Sequence, residues 1–171
     1  GTNKRGDVYG GSVENRARLL HEVTEAVLSV WEPGHVGVRL SPKNPFNDIA
    51  DSNPQVTFET IVEQLNKYGL AYLHVVEDRE TDFNYQKLRK TFNGAYMANG
   101  GYERDSAISA IETGQADFIA FGKLFIANPD LPERLRLNTK FNPAREESFY
   151  AGGADGYDNY PFLDTAEVDA D

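Results

Sequence analysis

Short apolar strands alternate with helical patterns along this chain at intervals of roughly 25 to 35 residues, the length of one βα unit. Ser12 precedes an amphipathic stretch with Val13, Ala17, Leu20, Val23, Val27 and Val30 or Trp31 on one face, which predicts a helix of about five turns capped by Ser12. Beyond Pro33-Gly34, the stretch His35 to Ser41 alternates Val36, Val38 and Leu40 with Gly37, Arg39 and Ser41, the period of a strand. A polar loop with Pro42, Pro45 and Pro54 leads to a helix through Phe58, Ile61, Val62 and Leu65, closed by Gly69. Leu70 to Val76 is the second strand, followed by a short helix near Tyr85 to Lys90 and a third strand, Gly94 to Ala98. A helix with Ala107, Ile108 and Ile111 stops at Gly114, and the fourth strand runs from Ala116 to Phe121. Asn128-Pro129 opens a last helix through Leu131, Leu135 and Leu137, with proline at a tolerated first-turn position.

Such a series builds a parallel sheet with right-handed crossovers. A complete (β/α)8 barrel needs eight strands and about 250 residues, so four units make half a barrel. The rival, an open doubly wound sheet, would carry its Gly-rich turn after the first strand. Here the glycine pairs follow the third and fourth strands instead, which in a barrel are the last two loops, where phosphate is commonly held.

Composition narrows the function. With no cysteine in 171 residues, disulfides and thiolate metal sites are excluded. No apolar run approaches the ~20 residues of a membrane span, and a cytoplasmic protein is expected. A net charge of −10 argues against a nucleic-acid partner, which needs clustered cations. Eight acidic residues and no Lys or Arg fall between Glu146 and Asp171. The expected organisation is one half-barrel over residues 1–163 and an acidic, frayed tail over 164–171. The opening through Thr2, Asn3, Lys4, Arg5, Gly6 and Asp7 reads as the middle of a loop, without a signal peptide's basic and apolar regions.

Three features at the C-terminal ends of strands could form an anion and cofactor site. Arg39 is a guanidinium inside an apolar strand, either a structural ion-pair partner or a fixed cation facing an electron-rich ligand. Asn99-Gly100-Gly101 lacks side chains where backbone N–H groups could approach phosphate. Gly122-Lys123 adds a point charge after the fourth strand. His21, His35 and His74 have no metal or base spacing and read as structural. Tyr9, Tyr157 and Tyr160 read as core or rim residues, while Tyr150 lies in a Gly-rich segment able to fold over a barrel mouth.

The strings Asp7-Val8-Tyr9-Gly10-Gly11-Ser12-Val13-Glu14-Asn15-Arg16-Ala17-Arg18, Val38-Arg39-Leu40-Ser41-Pro42 and Phe121-Gly122-Lys123-Leu124-Phe125-Ile126-Ala127-Asn128-Pro129-Asp130-Leu131 follow one another along the chain, and Ser148-Phe149-Tyr150, Gly156-Tyr157 and Tyr160-Pro161 come after them. Taken in that order, they resemble the Old Yellow Enzyme family of flavin-dependent ene-reductases. The resemblance implies the C-terminal half of a (β/α)8 TIM barrel, from helix 4 through strand 8 and its following helix. It implies non-covalent FMN at the barrel mouth, NADPH as reductant and an activated alkene such as an enone as substrate. Carried over by position, Arg39 would contact the flavin ring, Gly100, Gly101, Gly122 and Lys123 would hold its phosphate, and Tyr150 would line the substrate pocket. Lys123 stands where the family usually has Arg, which keeps the charge and loses the bidentate fork.

The family's carbonyl-binding pair and proton-donating Tyr precede anything in this chain, so no catalytic residue is expected within it. The expectation is therefore a piece of a split, cleaved or permuted ene-reductase, with an N-terminal half-barrel polypeptide as partner. The alternative is a non-catalytic flavin or phosphate-binding half-barrel that pairs with itself.

Overall fold

The computed structural model describes residues 1–44, 46–150 and 153–164. It divides into two compact units, Gly1–Ala120 and Phe121–Asp171. Pro45 and residues 165–171, most of the expected acidic tail, lie outside the described residues.

In the first unit, α1 (Val13–Leu28) precedes β1 (Gly37–Leu40), and α2 (Pro54–Leu65) precedes β2 (Tyr72–Val76). Then come α3 (Tyr85–Thr91), β3 (Ala95–Asn99), α4 (Arg104–Glu112) and β4 (Phe118–Ala120). The four strands form one parallel sheet in sequential order, β1-β2-β3-β4. Among the described residues the strand order never reverses, unlike a doubly wound sheet with its switch point. Val38, Leu40, Leu73, Val75, Tyr96 and Ala98 point to one face and are buried with Ala17, Ile61, Val62, Leu65 and Leu88 of the helices. The opposite face carries the row Arg39, His74, Met97 and Phe118, aligned by register across all four strands.

Local chemistry explains the element ends. Ser12 caps α1, its hydroxyl accepting from the Asn15 N–H. Pro54, expected in a loop, occupies the first turn of α2, where its missing N–H costs nothing. A 3₁₀ turn extends α2 to Gly69, which takes φ +64°, the left-handed conformation that ends a helix.

Two faces differ from expectation. In α1 the inward side is Val13, Ala17, Leu20, Thr24 and Leu28, whereas Val23, Val27, Val30 and Trp31 are exposed. Thr24 can be buried because its hydroxyl donates to its own helix, at Leu20 O, 2.7 Å. In α4, Ala107 and Ala110 are buried while Ile108 and Ile111 are exposed.

The second unit holds a short helix that local pattern did not predict, α5 (Lys123–Ala127), and α6 (Leu131–Leu137). Pro132 rather than Pro129 takes the first-turn position of α6. Fully buried Asn128 donates to Leu124 O and accepts from the Asn142 N–H. Buried Arg134 donates to Asp130 (2.7 Å), Lys140 O (2.7 Å) and Pro161 O (3.1 Å), and so ties the returning chain to α6.

Candidate functional site

Within the first unit, the sheet face opposite the packed helices begins at Arg39. Strand alternation turns Val38 and Leu40 toward the helices, so Arg39 must point the other way. It is exposed and makes no ion pair among the described residues, so the alternative of a buried structural salt bridge does not describe it. His74 is its register neighbour on β2. Burial, and then the Arg39 charge, push the His74 imidazole below its usual range, which keeps it neutral near pH 7. Its Nε2 is buried and lacks a hydrogen-bond partner. Tyr72 lies on the same face, its ring occupying the space that a side chain at position 37 would need, which accounts for Gly37.

At the C-terminal ends of β2 and β3, a cleft of about 660 Å³ is lined by Asn44, Glu77, Arg79, Gly100 and Gly101 among others. Gly100 has φ +121° and Gly101 φ +62°, both in the region that favours glycine. A Cβ at Gly100 would overlap the Glu77 carbonyl oxygen, whereas the space around Gly101 is open. The sequence marked the glycines; it gave no local signal for Glu77, Arg79 or Tyr102, which converge on them. The Glu77 carboxylate accepts from the Tyr96 hydroxyl (2.8 Å) and the Tyr102 hydroxyl (2.7 Å). Arg79 lies over the Tyr102 ring, 5.1 Å from its centroid.

Within the second unit, Gly122 precedes α5 and has open space around its Cα. The Lys123 ammonium is 70% exposed and paired with Glu146 at 2.9 Å. Tyr150 is 93% exposed. A separate cleft of about 350 Å³ is lined by Phe125, Ile126, Phe149, Tyr157 and Phe162, without Tyr150. Tyr160 is buried, its hydroxyl accepting from the Arg145 N–H. Among the described residues, no helix is long and apolar enough to cross a membrane.

Comparison with known proteins fits these features. The NADH:flavin oxidoreductase / NADH oxidase family description matches residues 1–142. The 12-oxophytodienoate reductase 1 of Oryza sativa subsp. japonica is 41% identical over 177 residues, which takes in 98% of this chain and 46% of that protein. Morphinone reductase, solved in complex with tetrahydroNAD, is 42% identical with a TM-score of 0.90, over 97% of this chain and 46% of that one. A further morphinone reductase structure is 40% identical with a TM-score of 0.89, at the same coverage. The chain therefore spans about half the length of the relatives it matches. With the parallel α/β sheet, the left-handed glycine pair and a match over most of its residues, the chain belongs to the NADH:flavin oxidoreductase / NADH oxidase family, that of Old Yellow Enzyme.

Proposed function

We propose that this chain is the C-terminal half of a (β/α)8 barrel that holds FMN and reduces activated C=C bonds with NADPH, active once the N-terminal half-barrel supplies the remaining strands. The observation that carries the reading is the sheet of the first unit, whose helices α1, α2 and α3 pack against one face while exposed Arg39 heads the row of side chains on the other. Four parallel strands with helices on one face leave the other to be covered by barrel closure.

The residues present suit the cofactor. Gly100 and Gly101 in the first unit, and Gly122 and Lys123 in the second, are assigned to its phosphate by the resemblance. The open backbone at Gly101 and Gly122 and the exposed Lys123 ammonium support that assignment. Arg39 offers a preorganised cation that would stabilise the negative charge developing on the reduced ring near its N1 and O2 edge. Held by these residues, the flavin would supply hydride transfer between nicotinamide and the alkene. Tyr150 is assigned to the alkene pocket on its place in the Ser148-Phe149-Tyr150 string.

NADPH oxidation coupled to loss of an enone, measured on the complete barrel with FMN, tests the reading. Turnover supports it. Bound FMN without NADPH oxidation would instead favour the non-catalytic flavin-binding module, and no flavin binding would remove both.

A further inference from the structure

The loop between β3 and α4 bears on one residue of the neighbouring strand. Glu77, directly after β2, is only 8% exposed. Its N–H donates to Asn99 O at 2.6 Å, and its carbonyl fills the space beside Gly100. Its carboxylate takes the hydroxyl of Tyr102 at the far end of the loop. The other carboxylate oxygen takes the hydroxyl of Tyr96, which is fully buried in the core. Loop and core are thus joined through a single acid.

An apolar residue could fill this space without desolvating a charge, so packing alone does not call for a carboxylate. What a carboxylate adds is direction, because two phenols must aim at two fixed oxygens. Burial, and then the carboxylate, raise both phenols above the usual tyrosine range, and both remain donors at neutral pH. Each donor satisfies one oxygen, and together they fix the carboxylate between loop and core. Arg79, over the Tyr102 ring, braces the same residue from the cleft side.

We infer that Glu77 is a positioning residue: through Tyr102 on the loop and Tyr96 in the core, it holds the Gly100-Gly101 backbone in the shape that receives a phosphate monoester. The inference rests on the assignment of that glycine pair to the FMN phosphate.

The test compares FMN with riboflavin, which lacks the phosphate, by fluorescence titration of the apo barrel. The parent should prefer FMN. Tyr102→Phe, which releases the loop and spares the core, should weaken FMN about tenfold and leave riboflavin unchanged. Glu77→Gln can still accept from one phenol and donate to the other, and should fall between parent and Tyr102→Phe. It also carries the comparison if Tyr102→Phe does not fold.

An unchanged FMN-to-riboflavin ratio in these variants, with a parent that prefers FMN, overturns the positioning role and leaves the phosphate assignment standing. Equal weakening of both flavins gives Glu77 a structural role only and also overturns the inference. A parent that binds both flavins equally removes the phosphate assignment, and the positioning role with it.

Discussion

At the scale of single residues, the Lys123–Glu146 pair sets up a competition. Both side chains are exposed, and surface pairs of this kind are worth about 0.2–1 kcal/mol. If Lys123 holds the FMN phosphate, Glu146 competes with it for the ammonium. Glu146→Gln should then tighten FMN by up to about fivefold, the upper end of that range. Lys123→Gln should weaken FMN at every ionic strength, because a hydrogen bond to a charged group contributes roughly 1.5 to 3 kcal/mol. Lys123→Arg should retain or improve affinity, since a guanidinium grips two phosphate oxygens. A fluorescence titration of the apo barrel reads all three, and equal constants for the parent and Lys123→Gln would put the phosphate elsewhere. Arg39→Ala should lower both FMN retention and the rate of flavin reduction, a loss of a few kcal/mol where a preorganised cation is removed. Stopped-flow absorbance at full flavin occupancy checks it; unchanged kinetics would leave Arg39 without a role at the ring.

At the scale of elements, α1 is tied to the segment before α2 by polar bonds that hydrophobic periodicity does not show. Arg16 pairs with Asp51 at 2.5 Å and donates to Thr57 (3.2 Å), whose own hydroxyl donates to Asp51. Burial alone would raise the Asp51 carboxyl, but the Asn53 N–H and the Arg16 guanidinium outweigh it and hold the group below its ordinary value. A lowered carboxyl stabilises the folded state above its unfolded pKa near 3.9, and that contribution is lost as pH falls through the lower folded value. Arg16→Ala should therefore cost about 1–3 kcal/mol at pH 7 and less under acid conditions, as read by urea unfolding at both. A constant difference across that range would show that the pair's charge is immaterial. In the second unit, Arg134→Lys should be nearly as damaging as Arg134→Ala, because three acceptors in different directions require the planar fork. Thermal unfolding with a reporter in residues 160–163 would separate the two cases.

At the scale of the whole molecule, the first unit leaves two apolar surfaces uncovered. One is the stripe of Leu19, Val23 and Val27 on α1 with Val30 and Trp31 just beyond it, and the other the β4 end of the sheet row, where Met97 adjoins exposed Phe118. Contiguous apolar patches of this kind bind partners or aggregate. The isolated chain should thus bind a hydrophobic dye and scatter light as species heavier than 19.1 kDa, and adding the remaining barrel strands should suppress both. A stable, dye-free monomer would argue against barrel completion on these surfaces.

Fold class was legible in the sequence because βα alternation, the Ser12 cap and the glycine stops at Gly69 and Gly114 are local properties of consecutive residues. The family followed from strings of the same local kind, as did the glycines after β3 and β4. What periodicity could not decide is which of two apolar stripes turns inward. Val23 and Val27 outrank Thr24 in hydrophobicity, yet Thr24 is buried because it satisfies its hydroxyl within its own helix. The exposure of Arg39, the pairing of Lys123 with Glu146 and the Tyr96–Glu77–Tyr102 network depend on contacts between residues up to 25 positions apart. Only the tertiary structure decides these, because burial and hydrogen-bond partners across elements are set by how strands register and helices pack, and no spacing along the chain encodes them.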